Sequence, residues 1–158
     1  MLFKFEVSGF KSFSDKFSLN LNEVKEYSFN KEAVENNIVK MGIIYGVNGV
    51  GKSNLALALF DIVFHVAPDN VGKSPSLYTN NYLNLETDNQ YAEFVYSFNF
   101  DGTELIYSYK KQDLKELLSE EIYIDGERVV FIDEKKILEC TLNGTDTLKK
   151  NLSETNVI

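Results

Sequence analysis

Residues 46–53 read Gly-Val-Asn-Gly-Val-Gly-Lys-Ser, which matches the pattern G-x-x-x-x-G-K-[ST] at every fixed position. The glycines of such a loop let the backbone curl, so that successive N–H groups point inward at a chain of phosphates. Lys52 places a positive charge near the β- and γ-phosphates, and the Ser53 hydroxyl is a ligand for Mg²⁺. The stretch therefore predicts a phosphate-binding loop.

The segments on either side fit the strand, loop and helix arrangement that this pattern requires. Residues 38–45 form a short and mostly apolar run, which predicts a buried strand. Residues 54–64 are rich in helix formers and contain neither Gly nor Pro, which predicts a helix. The positive end of that helix would add to the same anion site.

Composition narrows the class of protein. The 158 residues suffice for one domain with a sizeable core. The sequence contains no run of 18 apolar residues, so a membrane span is not predicted. Charged residues interrupt the N-terminus, so a signal peptide is not expected, and the single Cys140 cannot form an internal disulfide. These features predict a cytoplasmic protein. His65 is the only histidine, which disfavours a His/Cys metal site and a Ser-His-Asp triad.

The net charge of −8 bears on partners. An acidic chain repels the phosphate backbone of nucleic acids unless its basic residues cluster. The sequence has no dense Lys/Arg cluster and a single arginine, Arg128. Direct nucleic-acid binding by this segment is therefore disfavoured, although a basic patch assembled in three dimensions stays open.

Alternating apolar residues predict strands before the phosphate loop. Residues 2–7 and 17–21 alternate, with Phe17, Leu19 and Leu21 on one face, and a turn separates the two runs. Residues 22–37 are polar, which predicts a surface loop with a helical turn at 31–36.

A second group of strands is predicted after a loop-rich stretch at 67–90. Pro68, near the start of that stretch, is expected to end the helix or to follow closely after it. Residues 91–100 alternate over their whole length, and Asp-Gly at 101–102 and at 125–126 signals two hairpins. Residues 113–118 fit a helical turn or the start of a strand equally well.

These elements predict a mixed α/β (α+β) fold. We expect the first lobe of a phosphate-loop NTPase, with a strand-loop-helix core and an antiparallel β subdomain. Within a single lobe we place the core at 1–66, a loop-rich connection at 67–90, an antiparallel meander at 91–140 and a truncated end at 141–158.

The longer string G-x-N-G-x-G-K-S-N at 46–54 is more specific than the bare loop pattern. It resembles the ABC-type ATPase heads of the RecF, structural-maintenance-of-chromosomes (SMC) and OLD (overcoming lysogenization defect) group, which show N-x-G-K-S-N before an Ala/Leu-rich helix. Residues 10–13, Phe-Lys-Ser-Phe, resemble the element that follows the first strand of these heads. Residues 94–130 resemble the antiparallel subdomain of bacterial AAA-family ATP-binding proteins in the OLD-like, abortive-infection branch.

The resemblance implies that the loop binds ATP with Mg²⁺, with Lys52 as the catalytic residue and Ser53 as the metal ligand. The nucleotide-binding residues that it implies are Gly46, Asn48, Gly49, Val50, Gly51, Lys52, Ser53 and Asn54. Lys11 and Ser12 match an element that lies near the nucleotide in the family; the alternative is a strand-end turn with exposed polar residues.

At the level of the whole protein, the resemblance implies a homodimer of full-length heads that sandwiches ATP. It implies a role in phage defence or DNA maintenance, with nucleic acid or a defence effector as a further partner of the full-length protein and no membrane.

Several parts of an ABC head are missing from the sequence. No L-S-G-G string occurs, and residues 118–121 lack its glycines. Residues 129–134 have the four apolar residues and the acidic pair of a Walker B strand, but the Asp-Gly turn at 125–126 predicts a hairpin strand instead. Asp133 and Glu134 are therefore not expected to ligate Mg²⁺. We expect an N-terminal fragment that binds nucleotide but hydrolyses it negligibly by itself.

Two other functions stay open. One is a complete small phosphate-loop enzyme, such as a kinase, with Asp133 as its acid; a kinase lid is rich in Arg, and this chain has one. The other is a non-catalytic scaffold in which nucleotide binding switches an interface.

Overall fold

Most of the chain folds as strands. The structure is a computed structural model that describes residues 1–25, 28–67, 76–134 and 136–142. Its elements, in chain order, are β1 (Leu2–Ser8), β2 (Phe17–Asn20), a 3₁₀ turn (Lys31–Ala33), β3 (Val34–Glu35), β4 (Ile38–Val39), α1 (Lys52–Val66), α2 (Ser76–Thr79), β5 (Ala92–Phe100), β6 (Thr103–Lys111), β7 (Leu117–Ile124), β8 (Glu127–Asp133) and β9 (Lys136–Cys140). The predicted helical turn at 31–36 is shortened to the 3₁₀ turn.

Seven strands form one antiparallel sheet in the order β2-β1-β5-β6-β7-β8-β9. The N-terminal strand β1 lies between β2 and β5, so segments from before and after the phosphate loop share the sheet. The fold is thus a mixed α/β arrangement of mostly antiparallel strands with one long helix. No helix in the described ranges has the length and apolar character needed to cross a bilayer.

Both predicted hairpins are confirmed. The turn at Asp101-Gly102 joins β5 to β6 with φ of 52° and 98°, and the turn at Asp125-Gly126 joins β7 to β8 with φ of 47° and 82°. Positive φ at both central residues is typical of the type I′ turn, whose twist matches that of the flanking strands. The dipeptides therefore set the register of both strand pairs.

The ambiguous segment at 113–118 is a turn followed by a strand. The Asp113 carboxylate accepts the backbone N–H groups of Lys115 and Glu116 at 2.7 and 2.8 Å, and β7 begins at Leu117. A side chain that satisfies two successive amides stabilises a turn over a strand or a helix.

The acidic pair at 133–134 lies where the chain turns from β8 into its antiparallel partner β9. Strand β8 pairs antiparallel with β7 and β9, Asp133 lies opposite Lys136, and Glu134 has a φ of 45°. The hairpin interpretation of this segment is confirmed, since a Walker B strand would be a buried parallel strand beside the phosphate loop.

Helix α1 packs on one face of the large sheet. Its buried positions are Leu55, Ala58, Asp61 and His65, which recur at the spacing of one helix face. The Tyr96 hydroxyl of β5 donates a hydrogen bond to the Ala58 carbonyl at 2.8 Å. This contact and the aromatic core around it hold α1, which the predicted phosphate loop precedes, against the meander.

The predicted buried strand at 38–45 is wrong. Only Ile38–Val39 form a strand, which pairs with β3, and residues 42–47 have no regular secondary structure. The side chains of Ile43 and Tyr45 are 89% and 90% exposed. A strand needs partners for its backbone groups, and no described strand pairs with this segment beyond Val39. Apolar composition alone does not supply those partners.

Two other expectations concern residues that the structure leaves out. The end of the helix at Pro68 lies outside the described residues, although α1 itself ends at Val66. Most of the expected terminal segment at 141–158 also lies outside them.

Candidate functional site

The predicted phosphate loop leads directly into α1. Lys52 and Ser53 are the first two residues of the helix, and Gly51 before them has a φ of 94°. Gly49 has a φ of 85°, so the backbone enters the left-handed region twice, which glycine does without strain. The first hydrogen bond of the helix runs from the Leu55 N–H to the Gly51 carbonyl at 2.9 Å. The backbone N–H groups that come before this bond, in the first turn of the helix, are those that a helix offers to an anion.

The Lys52 side chain folds back across the loop. Its ammonium donates hydrogen bonds to the carbonyls of Gly46 and Val47 at 2.7 and 2.8 Å. These bonds close the loop around the lysine. Six of the predicted nucleotide-binding residues line a cleft of about 330 Å³, hereafter the phosphate cleft: Asn48, Gly49, Gly51, Lys52, Ser53 and Asn54.

The two remaining loop positions shape the curl. The Gly46 carbonyl accepts the hydrogen bond from the Lys52 ammonium. A Cβ at Gly46 would lie 3.1 Å from Cγ1 of Val50. The Val50 side chain is itself 62% exposed. A side chain at position 46 would therefore require the Val50 side chain to shift by a few tenths of an ångström.

Ser12 lies against the loop at residues 46–54. Its Oγ accepts a hydrogen bond from Nδ2 of Asn54 at 3.0 Å. A Cβ at Gly51 would lie 2.9 Å from the same oxygen. The turn after β1 and the phosphate loop are thus in close contact, 42 residues apart in the chain.

Lys11 reaches the loop that follows α2. Its ammonium donates to the backbone carbonyl of Asn80 at 2.9 Å, with the Asn81 carbonyl at 3.4 Å. Partial burial lowers the pKa of the Lys11 ammonium, because burial disfavours the charged form. Lys11 lines a second cleft, and Asn54 lines both this cleft and the phosphate cleft.

A buried ionic cluster beneath α1 escaped the sequence analysis. The Asp61 carboxylate accepts hydrogen bonds from the hydroxyls of Tyr82 and Tyr109 at 3.0 and 2.9 Å and from the Lys111 ammonium at 3.0 Å. Asp61 is fully buried and Lys111 is 1% exposed. Burial lowers the pKa of Lys111, and the facing Asp61 opposes that effect. The cluster ties the helix, the sheet and the loop that contains Tyr82 together.

A second buried pair lies one helical turn further along α1. Nε2 of His65 is 3.8 Å from a carboxylate oxygen of Glu120, which is too long for a hydrogen bond, and the Tyr107 hydroxyl donates to that same oxygen. His65 also stacks on the Tyr109 ring at 4.0 Å between centroids. Nε2 of His65 and the other oxygen of Glu120 have no hydrogen-bond partner among the described residues.

The sequence did carry a signal for this cluster. Lys111 follows Tyr107 and Tyr109 at a spacing of two in β6, and Asp61 follows Ala58 on the buried face of α1. A charged residue at a position where the period requires an apolar one indicates a buried partner.

Two comparisons with known proteins find no relative of this chain. No protein-family model matches the chain, and no curated protein matches it. In the part of the chain that the structure describes, no three or more His, Cys, Asp and Glu side chains are grouped to hold a metal ion. The resemblance to ABC-type heads therefore stays a prediction from the quoted motifs.

The stability of the fold should fall below neutral pH because of His65. Burial lowers the pKa of His65 from its usual 6.5, so the unfolded chain takes up a proton that the folded chain does not. The free energy of unfolding should decrease as the pH falls through about 6.5, by at most about 1.4 kcal/mol per pH unit. Urea unfolding between about pH 7 and pH 5.5 measures this slope.

The variant His65→Gln provides the control, since it removes the only histidine. Its slope over the same pH range should be smaller than that of the wild type. Equal slopes would show that another group causes the pH dependence.

Proposed function

We propose that this chain binds ATP with Mg²⁺ at residues 46–54, as the first lobe of an ABC-type ATPase of the RecF, SMC and OLD group. The observation that carries the proposal is the conformation of the loop. It curls at Gly49 and Gly51, closes around the Lys52 ammonium, and precedes a helix of 15 residues. Helix amides and a lysine together supply the positive field that a polyphosphate requires.

Ser53 fits a magnesium ligand in this arrangement. It lies in the first turn of α1 and lines the phosphate cleft. Mg²⁺ keeps several water ligands and takes few ligands from the protein together with substrate phosphates, so the Ser53 hydroxyl would be one ligand among several.

The proposal assigns binding rather than turnover to this chain. Hydrolysis needs a group that orients the attacking water. The acidic pair at 133–134 lies in the β8–β9 turn of the meander, and no glycine-rich signature accompanies it. We propose that two full-length heads together form the complete ATPase site, in the service of phage defence or DNA maintenance.

A nucleotide-gated scaffold is the second candidate, and one observation favours it. Ile43, Tyr45 and Val47 are 89%, 90% and 76% exposed, and they lie on either side of Gly46 at the start of the loop. Exposed apolar surface marks interaction sites. In this function, nucleotide binding changes the contacts that residues 43–47 make. A variant that lacks catalysis would then bind ATP with unaltered affinity.

Lys52→Ala should weaken Mg²⁺–ATP binding by about 10- to 100-fold, because a charge-assisted hydrogen bond contributes about 1.5–3 kcal/mol. Isothermal titration calorimetry on the whole chain measures the change. Lys40→Ala is a matched control, since Lys40 forms an exposed ion pair with Glu35 at 3.2 Å and does not line the phosphate cleft. Equal ATP affinity in the wild type and Lys52→Ala would refute the proposal.

A further inference from the structure

We propose that Asn48 is a site of spontaneous deamidation, and that its conversion to an acid disables the phosphate cleft. Gly49 follows Asn48 directly, and both residues are exposed in a turn. The loss of the cleft rests on the proposed nucleotide site, whereas the modification itself does not. The reactivity comes from the Asn-Gly pair and from the surroundings that residues 46–54 provide.

The reaction consumes only water. The backbone nitrogen of Gly49 forms a bond to Cγ of Asn48 and gives up its proton, while the bond from Cγ to Nδ2 breaks and ammonia leaves. Water then opens the cyclic imide that results. Opening at the side-chain carbonyl gives aspartate, and opening at the main-chain carbonyl gives isoaspartate. Neither step is an oxidation or a reduction.

The turn leaves the attacking nitrogen unhindered. A side chain on the residue after asparagine would crowd this nitrogen, and glycine has none. Among the described residues beyond its two chain neighbours, no atom lies within 4 Å of a Cβ placed at Gly49. Asparagine is one of the thermolabile residue types of proteins. Neither the following residue nor tertiary packing therefore shields Asn48.

The positive field of the loop favours the first step. The attacking nitrogen loses a proton, so a positive charge nearby stabilises the anionic form that attacks. The Lys52 ammonium donates to the Val47 carbonyl at 2.8 Å, and this carbonyl belongs to the peptide unit before Asn48. The positive end of α1 follows Gly49 closely in the chain. The features that suit the loop to phosphate thus also activate Asn48.

Deamidation introduces a negative charge where we propose that the phosphates bind. Asn48 lines the phosphate cleft together with Lys52. A carboxylate there repels a polyphosphate and competes with it for the Lys52 ammonium. Isoaspartate also lengthens the main chain by a methylene group, in a loop that curls at Gly49 and Gly51. The capacity of the chain to bind nucleotide should therefore decline as the protein ages.

The first experiment follows the modification by mass spectrometry during incubation of the whole chain in mildly alkaline buffer. The tryptic peptide 41–52 contains Asn48 as its only side-chain amide, so an amide-to-acid mass gain in it reports on this residue alone. Peptide 32–40 is the control, because its two asparagines are also exposed but precede Asn and Ile. The acid form should accumulate faster in 41–52, and equal rates would overturn the assignment.

The second experiment measures the consequence by isothermal titration calorimetry. Asn48→Asp carries one of the two products, and its affinity for Mg²⁺–ATP should be about 10- to 100-fold lower than that of the wild type, because like charges repel. Asn89→Asp is the control, since it adds the same charge at an exposed position that does not line the phosphate cleft. Aged wild type should lose binding sites in proportion to its acid form.

Bound Mg²⁺–ATP should slow the reaction at Asn48. In the proposed site the loop amides donate to the phosphates, and a Gly49 N–H held in this way is kept from the attack. A second Asn-Gly pair, at 143–144, lies outside the described residues and is the reference in the same sample. Saturating Mg²⁺–ATP should lower the rate at Asn48 relative to that at Asn143. An unchanged ratio would contradict a contact between Gly49 and the phosphates.

The outcomes separate this inference from the proposed function. If fresh wild type does not bind Mg²⁺–ATP, the proposed function is refuted, and the peptide analysis alone still decides whether Asn48 deamidates. If fresh wild type binds and Asn48→Asp binds equally well, the nucleotide site stands and the inference that deamidation disables it is wrong.

Discussion

We expect Asp61→Ala to lower the free energy of unfolding by about 3–5 kcal/mol, because it leaves a buried lysine without its counter-ion. Lys111 is 1% exposed and its ammonium lies 3.0 Å from the Asp61 carboxylate. The hydroxyls of Tyr82 and Tyr109 lose the same acceptor. Urea unfolding followed by circular dichroism measures the loss.

Two controls identify the cause. The double variant Asp61→Ala/Lys111→Met should regain much of the lost stability, because a buried charge is replaced by an apolar side chain of similar length. Glu93→Ala removes the partner of the neighbouring Lys110, at 3.6 Å on the surface, and should cost less than about 1 kcal/mol. A double variant as unstable as Asp61→Ala would show that the unpaired lysine is not the cause.

Gly9→Ala should also be strongly destabilising, by about 2–5 kcal/mol, since strain and overpacking add. Gly9 has a φ of 68°, and a Cβ there would lie 2.3 Å from the backbone oxygen of Tyr91. Because the neighbour is backbone, β1 and β5 must separate at this point. Thermal unfolding compared with the wild type measures the effect.

Gly102→Ala is the matched control for this substitution. Gly102 has a φ of 98°, but nothing lies within 4 Å of a Cβ placed there. Its replacement should cost about 1–2 kcal/mol, which is the left-handed strain alone. Equal losses at the two positions would mean that the close approach of Gly9 to Tyr91 has no energetic weight.

Much of the meander was predictable, because its determinants are local. An Asp-Gly dipeptide adopts positive φ wherever it lies, and alternation over 91–100 sets which side chains share a face. Ala92, Phe94 and Tyr96 are buried as the pattern predicts, and only Phe100 at the end is exposed. The helix after the loop was predicted for the same reason, from helix formers within one turn of each other.

The strand at 38–45 failed for the opposite reason. A strand is stable only when other strands satisfy its backbone groups, and such partners are distant in the sequence. In the described ranges only Ile38–Val39 find a partner, in β3. An apolar run therefore indicates that a segment can be buried, but it does not predict which other segment will cover it.

The sequence by itself determined the glycine turns within residues 46–53, the helix after them and the two hairpins, because each depends on dihedral preferences and side-chain periods within a few residues. Only the tertiary structure decided that Ser12 meets Asn54, that Lys11 binds the loop at 80–81, and that Asp61 is paired with Lys111. These contacts join residues 42 to 69 positions apart. They depend on how the sheet orders β1, β5 and β6 beneath α1, and that order results from long-range packing.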